Sequence, residues 1–208
     1  MEKAIDVNVQ EREGNLLFPI FLKLENLKLL IVGGGAIGLE KLQAVIKNSP
    51  GTPVTLVAAW ISDEVRALAR DYNNILLIEK PYAVADLEDK DLVIVATNDR
   101  SLSEIIKKDT KQKRILTNVA DKPDLCDFYL GSVVKKGDLK IAISTNGKSP
   151  TMAKRIREFL ENSLPDSMQN VLDNLNAIRN QVEGDLNKKI EVLNEVTSDF
   201  LSNQKKIK

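Results

Sequence analysis

The chain has 208 residues with 30 Lys and Arg against 30 Asp and Glu, so no net field draws it to nucleic acid or an anionic membrane. No apolar run reaches membrane-spanning length, residues 1–14 are polar without a signal-peptide core, and a single cysteine, Cys126, excludes an internal disulfide framework and fits a reducing cytoplasm. Histidine is absent, which removes Ser-His-Asp and Cys-His catalysis, argues against a resident zinc site and leaves acid–base work to Asp, Glu, Lys or Tyr.

Leu29-Leu30-Ile31-Val32 reads as a buried strand running straight into Gly33-Gly34-Gly35-Ala36-Ile37-Gly38, with a helix expected over Leu39 to Asn48. The glycines have the G-x-G-x-x-G spacing. Gly33 permits a tight turn, Gly35 lets the backbone approach a pyrophosphate, and Gly38 allows close helix–strand packing. Amides at the helix start, around Ala36 and Ile37, then face the phosphates. The glycine pattern alone also fits a tight turn that binds nothing. Further units follow: a strand over Val54 to Ala58, a helix from an N-cap at Ser62 to about Tyr72, a strand over Ile75 to Ile78 and another over Asp91 to Ala96. A helix over Ser101 to Lys113 and a fifth strand over Arg114 to Val119 complete the series. The alternation predicts an α/β, Rossmann-like doubly wound parallel sheet with ligands at the carboxyl ends of its strands.

Bound NAD is expected across the glycine loop, with Ala59 and Trp60 flanking the adenosine and Thr97-Asn98 following the fourth strand. A ribose-binding acid usually follows the second strand, but Ala58-Ala59-Trp60 stand there, and Asp63 is better explained as a first-turn acid on a helix dipole. Trp60 either covers the adenine or packs into the fold. No arginine stands at that strand end to receive a 2′-phosphate, which favours NAD over NADP.

The pattern then changes. Ser132 to Val134 and Leu139 to Ile143 flank Lys135-Lys136-Gly137-Asp138, a hairpin signal foreign to a βαβ series. From Ser149 onward three amphipathic stripes follow: Met152, Ile156, Phe159 and Leu160, closed by Pro165; Met168, Leu172, Leu175, Ile178 and Val182; and, beyond Gly184, Leu186, Ile190, Leu193 and Phe200. The expected organisation is a dinucleotide-binding domain over 1–122, a β-hairpin dimerisation segment over 123–150 and a helical C-terminal domain over 151–208. A hairpin and three helices make a thin core, so a partner subunit is expected to cover part of it. Residues 203–208 are expected to fray.

Three separated blocks carry a family likeness: Phe18-Pro19-Ile20-Phe21-Leu22-Lys23-Leu24; Thr117-Asn118-Val119-Ala120-Asp121 followed by Asp124-Leu125-Cys126-Asp127-Phe128; and Ile141-Ala142-Ile143-Ser144-Thr145-Asn146-Gly147-Lys148-Ser149-Pro150. In order and spacing, over about residues 16 to 165, they resemble the siroheme-synthase N-terminal module, a precorrin-2 dehydrogenase that in some members is also a sirohydrochlorin ferrochelatase. The resemblance implies NAD-dependent oxidation of precorrin-2 to sirohydrochlorin, a homodimer with an intertwined second domain, and a tetrapyrrole cleft between the domains. Fe²⁺ enters only as a substrate where chelation occurs. No methyltransferase pattern follows, as expected of a stand-alone form.

The family's catalytic aspartate falls on Asp121. Read from the residues, a carboxylate just past the fifth strand can take a proton while a ring system loses hydride, or it can hydrogen-bond its own turn before Lys122-Pro123. The many carboxylates of the implied substrate need a local basic surface. Lys148, Lys154, Arg155 and Arg157 gather at the start of the helix after Ser149, with Lys135 and Lys136 at the hairpin tip. The substrate-binding candidates are Asn118, Ser144, Thr145, Lys148, Ser149 and Arg155; Thr145 stands where some relatives carry a modifiable serine. Cys126 reads as a semi-buried thiol. A nucleotide-sensing module of the potassium-conductance regulator type shares the glycine strand, but it keeps the ribose acid and lacks an equivalent of Ser144 to Pro150.

Overall fold

The computed structural model describes residues 14–202, with side chains as far as Ser198. The expectation for 203–208 and the side chain of Phe200 lie outside the described residues. Two compact units divide between Leu130 and Gly131.

The first unit is a five-stranded sheet. Strands β1 (Leu29–Gly34), β2 (Val54–Ile61), β3 (Ile75–Glu79), β4 (Leu92–Val95) and β5 (Leu116–Val119) lie in the order β3-β2-β1-β4-β5, and every neighbouring pair is parallel. The strands are near-continuous apolar runs because both faces are covered. Leu29, Ile31 and Leu56 pack with Leu42, Val45 and Ile46 of α1 (Ala36–Asn48) and Val65 of α2 (Asp63–Ala69). On the other face, Leu30, Val32, Val93 and Val95 pack with Ile106 of α3 (Arg100–Lys113). Winding reverses between β1 and β4, and such a switch point opens a crevice at the strands' carboxyl ends.

Helix caps set the element boundaries. The Ser62 hydroxyl accepts from the Val65 amide at 3.3 Å, as an N-cap should, and Asp99 does the same for Leu102 at 3.0 Å, so α3 begins at Arg100. Several boundaries shift by one to three residues from the sequence reading, and three of the shifts bear on the site or its flanking turns. Helix α1 starts at Ala36 instead of Leu39, directly from the extended Gly35. Strand β2 runs on to Ile61, which places Ala59 and Trp60 inside it. Arg114 is the left-handed end of α3 (φ 59°) and not a strand residue.

The second unit begins with an antiparallel hairpin, β6 (Ser132–Lys136) against β7 (Leu139–Ile143). Lys135 and Lys136 do not form its tip. They pair with Lys140 and Leu139, and the turn is Gly137-Asp138 alone, with glycine at the first central position at φ 61°. Helices α4 (Pro150–Ser163), α5 (Met168–Gln181) and α6 (Leu186–Ser202) follow, and α4 packs on β6. The start of α5 latches the hairpin tip. Gln169 accepts from the Asp138 amide at 2.7 Å and donates to its carboxylate at 3.0 Å, while Lys136 pairs with Asp166. Among the described residues of this unit, Val134, Ala153 and Met168 are the buried apolar side chains. The core is thin, as its short stripes imply.

In the first unit the glycine turn packs backbone on backbone. Gly33 has φ 129°, and a Cβ there would lie 2.2 Å from the Ala96 carbonyl oxygen; a Cβ on Gly38 would lie 2.1 Å from the Gly33 oxygen. Neither neighbour is a flexible side chain, so the loop or α1 must move to admit a methyl group. Gly38→Ala should therefore cost about 1–3 kcal/mol. Urea unfolding that shows a lower midpoint at unchanged slope checks this; an unaltered midpoint would refute the packing role.

Candidate dinucleotide site

The crevice at the switch point is a cleft of about 500 Å³, within the usual range of small-molecule sites. Gly33, Gly35, Ala36 and Ile37 line it from the β1–α1 turn, Ala59 and Trp60 from the end of β2, and Thr97 and Asn98 from the loop after β4. Gly38 does not line it; it lies behind the turn, against Gly33. Gly35 differs from its neighbours: nothing lies within 4 Å of where its Cβ would be, and its φ of −91° suits any residue. Its missing side chain leaves space on the cleft side and relieves no clash. No side chain caps the first turn of α1, so its amides remain available to an anion at the positive end of the helix dipole.

Trp60 is 65% exposed and cannot be serving as a core residue. Pro81 and Tyr82, after β3, and Leu102 of α3 complete the wall. Sequence reading missed them, although β3 beside β2 brings its following loop to the same end of the sheet. The Tyr82 hydroxyl donates to Asp109 at 3.1 Å. Burial first, and the Asp109 carboxylate next, raise this phenol well above its ordinary range, so it stays protonated.

The turn after β5 is joined to this cleft. The Ala120 amide donates to Val95 at 2.9 Å, and Lys122 Nζ donates to the Thr97 carbonyl at 3.1 Å. Between them Asp121 is exposed in the left-handed conformation (φ 58°), and its carboxylate accepts no hydrogen bond among the described residues. The turn is closed by the Lys122 amide on Val119 at 3.3 Å instead. Asn118 is buried, and its side-chain amide donates to the Phe128 carbonyl at 2.8 Å, tying down the segment after the turn. Asp127 fastens the same segment, accepting from the Thr117 amide at 2.9 Å and pairing with Lys107 at 2.6 Å. Cys126 is half-buried and donates to the Val119 carbonyl at 3.2 Å; burial pushes its thiol up, away from a reactive thiolate.

The remaining candidates lie in the second unit. Asn146 (φ 54°) and Gly147 (φ 74°) make a turn closed by the Lys148 amide on the Thr145 carbonyl at 3.0 Å. The Thr145 hydroxyl donates to the Ser149 carbonyl at 3.1 Å and accepts from its amide at 3.2 Å; Ser149 in turn caps α4 on the Met152 amide at 3.2 Å. Both hydroxyls are thus engaged in shaping the loop. Ser144 is exposed and its hydroxyl accepts from the Asn146 amide at 3.2 Å. Lys154 faces Glu158, and Arg157 faces Glu158 and Glu161, each at 3.9 Å. Lys148 and Arg155 are exposed and form no ion pair among the described residues.

A parallel sheet wound in this order, with a glycine turn, an uncapped helix start and an open cleft at the switch point, is the architecture of a dinucleotide-binding domain. A family model described as putative NAD(P)-binding matches residues 20–132, more than half of the chain, and one described as the sirohaem biosynthesis protein central region matches residues 136–163. The siroheme synthase of Psychrobacter cryohalolentis is 36% identical over 176 residues, which are 85% of this chain and 32% of that protein. That of Psychromonas ingrahamii is 38% identical over 147 residues, 71% of this chain and 30% of the relative. The chain thus spans about a third of the length of the curated relatives it matches. The solved structure of SirC, precorrin-2 dehydrogenase, superposes with a TM-score of 0.70 at 25% identity, covering 88% of this chain and 90% of that one. The chain belongs to the NAD(P)-binding family, and within it to the siroheme-synthase N-terminal module.

Because Gly35 sits in open space at an ordinary φ, Gly35→Leu should melt like the wild type while losing dinucleotide binding in calorimetric titration. Normal affinity in this variant would remove the phosphates from the glycine loop.

Proposed function

We propose that the protein is an NAD-dependent precorrin-2 dehydrogenase. The observation that carries this reading is the hydrogen bond from Lys122 to Thr97, which fastens an unengaged carboxylate, Asp121, beside the wall of the dinucleotide cleft. Converting precorrin-2 to sirohydrochlorin removes a hydride and a proton from the ring system. Bound NAD⁺ supplies the hydride acceptor, and Asp121 takes the proton. Its lone pairs are uncommitted within the described residues, as a proton acceptor requires.

The glycine loop and the start of α1 hold the pyrophosphate, and Trp60 covers the adenine. Lys148 and Arg155 receive substrate carboxylates; Thr145 and Ser149 shape the loop that presents Lys148. Ser144 and Asn118 act through the backbone segments they brace. A lone thiol suits a reducing compartment, which supports reading the enzyme as cytoplasmic.

A second copy of the chain completes the helical unit. Met152, Ile156 and Phe159 follow one another at helical spacing on α4 and remain exposed, Phe159 by 69%. Light scattering should report a dimer at micromolar concentration, and Ile156→Glu should shift it toward monomer; a monomeric wild type would exclude this assembly.

Incubation with precorrin-2 and NAD⁺ should give the sirohydrochlorin spectrum together with NADH. Asp121→Asn is the sharper test. Asn tolerates the left-handed region as Asp does, so the turn survives while the proton acceptor is lost. Turnover should fall about 10²–10⁴-fold with NAD⁺ affinity and melting temperature unchanged. Near-normal turnover in the folded variant would displace Asp121 from the chemistry.

A further inference from the structure

The end of β2 carries no acid, yet a carboxylate is there. Glu79, the last residue of β3, stands in register with Ala58 of β2, a residue of the cleft wall. Its side chain reaches along the end of β2, where Oε1 accepts from the Ile61 amide at 3.0 Å. Its other oxygen, Oε2, pairs with Arg66 of α2 at 2.6 Å. This strand end abuts the glycine loop directly. The Ser62 amide donates to the Gly34 carbonyl at 2.9 Å, and a Cβ on Gly34 would lie 2.5 Å from the Trp60 oxygen. Two hydrogen bonds therefore link the backbone next to Trp60, through Glu79, to a guanidinium.

Adenosine in this fold lies beyond the end of the second strand. A carboxylate there accepts from the ribose hydroxyls, whereas a nearby arginine receives a 2′-phosphate. Here both groups are present, and one neutralises the other. We propose that Glu79 sets the preference of the site for NAD over NADP, presenting the ribose-binding carboxylate from β3 and sequestering Arg66, the cation that a 2′-phosphate would use.

The surroundings agree. Arg66 and the Ile61 amide hold the Glu79 carboxyl below its ordinary range, so it is charged at neutral pH and repels a phosphate. The other cation near this strand end, Lys80, is paired with Asp86 at 2.6 Å. Asp63 and Glu64 in the first turn of α2 add negative charge. Each Glu79 oxygen has one further lone pair, and the side chain is 43% exposed, which leaves room for a diol.

This inference rests on the dinucleotide reading of the cleft, and titration of NAD⁺ and NADP⁺ against four proteins separates the two. The wild type should prefer NAD⁺. Glu79→Gln keeps an oxygen for the Ile61 amide but frees Arg66; NAD⁺ should bind more weakly, NADP⁺ more tightly, and their ratio should move by about ten- to a hundredfold. In Glu79→Gln/Arg66→Gln the gain for NADP⁺ should vanish. Arg66→Gln alone should leave NAD⁺ binding intact and weaken NADP⁺ further, and it carries the test if the Glu79 variant does not fold. A wild type that binds neither nucleotide overturns the cofactor assignment itself. A wild type that binds NAD⁺, with the ratio unmoved in Glu79→Gln or NADP⁺ unaffected in Arg66→Gln, overturns the role of Glu79 alone.

Discussion

Where β1 hands over to α1, three stretches of backbone meet with no side chain between them. The Ala96 oxygen sits against Gly33, the Gly33 oxygen against Gly38, and the Trp60 oxygen against Gly34. Each contact would be a clash for any residue with a Cβ. The crowding serves the site because it draws the ends of β1, β2 and β4 together around the start of α1, which leaves the helix amides facing a shared cleft. Gly35 is the exception that shows what the others achieve: a Cβ there would touch nothing, and the space in front of it belongs to the cleft. One glycine run therefore holds two kinds of position, three that close the fold and one that opens the site. A spacing motif does not distinguish them; the neighbours of the absent Cβ do.

This difference explains how far the sequence could be read. The parallel strands were legible because strands covered on both faces are apolar throughout, and Ser62 was legible because a cap is a local interaction. The parallel, doubly wound class followed from the alternation of elements, whereas the order β3-β2-β1-β4-β5 is seen only in the structure. Boundaries moved where tertiary contact outweighed local signal: β2 extends through exposed Trp60 because its backbone is held against Gly34, not because Ala59 and Trp60 favour a strand end. Glu79 was illegible for a related reason. A ribose acid normally stands at the end of the second strand, and the register that sets β3 beside Ala58 is not written in any local pattern. Asn118 and Thr145 look like ligand groups in a sequence, but a short polar side chain beside a tight turn is as readily taken up by backbone.

Asp121 shows the limit from the other side. Two readings were open, proton acceptor or turn stabiliser through its side chain. Geometry removes the side-chain hydrogen bond and supplies a third requirement, a residue type that tolerates φ 58°. Asp meets that requirement and so does Asn. Backbone conformation therefore explains why a small polar residue stands there, but not why it is acidic. The acidity is what the proposed proton transfer accounts for.

The two units differ in what completes them. The sheet buries thirteen apolar residues in one cluster and nine in the other, and closes its core on its own. The hairpin and helices leave Met152, Ile156, Phe159, Leu186 and Ile190 exposed and most of their other stripe residues only half-buried, and polar latches, Gln169 on Asp138 and Lys136 on Asp166, help to hold their shape. Exposed pairs of this kind contribute little, so a unit built on them gains its stability by burying surface against something else. In the proposed dimer that partner is a second copy. On the proposed reading a division of labour follows: a self-sufficient domain can hold a cofactor rigidly, while a unit completed by a second copy can receive a large, highly charged substrate. Lys148 and Arg155, exposed and without ion pairs among the described residues, lie in the unit whose core is incomplete, whereas the glycine loop and Asp121 lie in the unit whose core is closed. On the proposed reading, positional accuracy is needed where hydride and proton leave the ring, and tolerance is needed where flexible carboxylates are received.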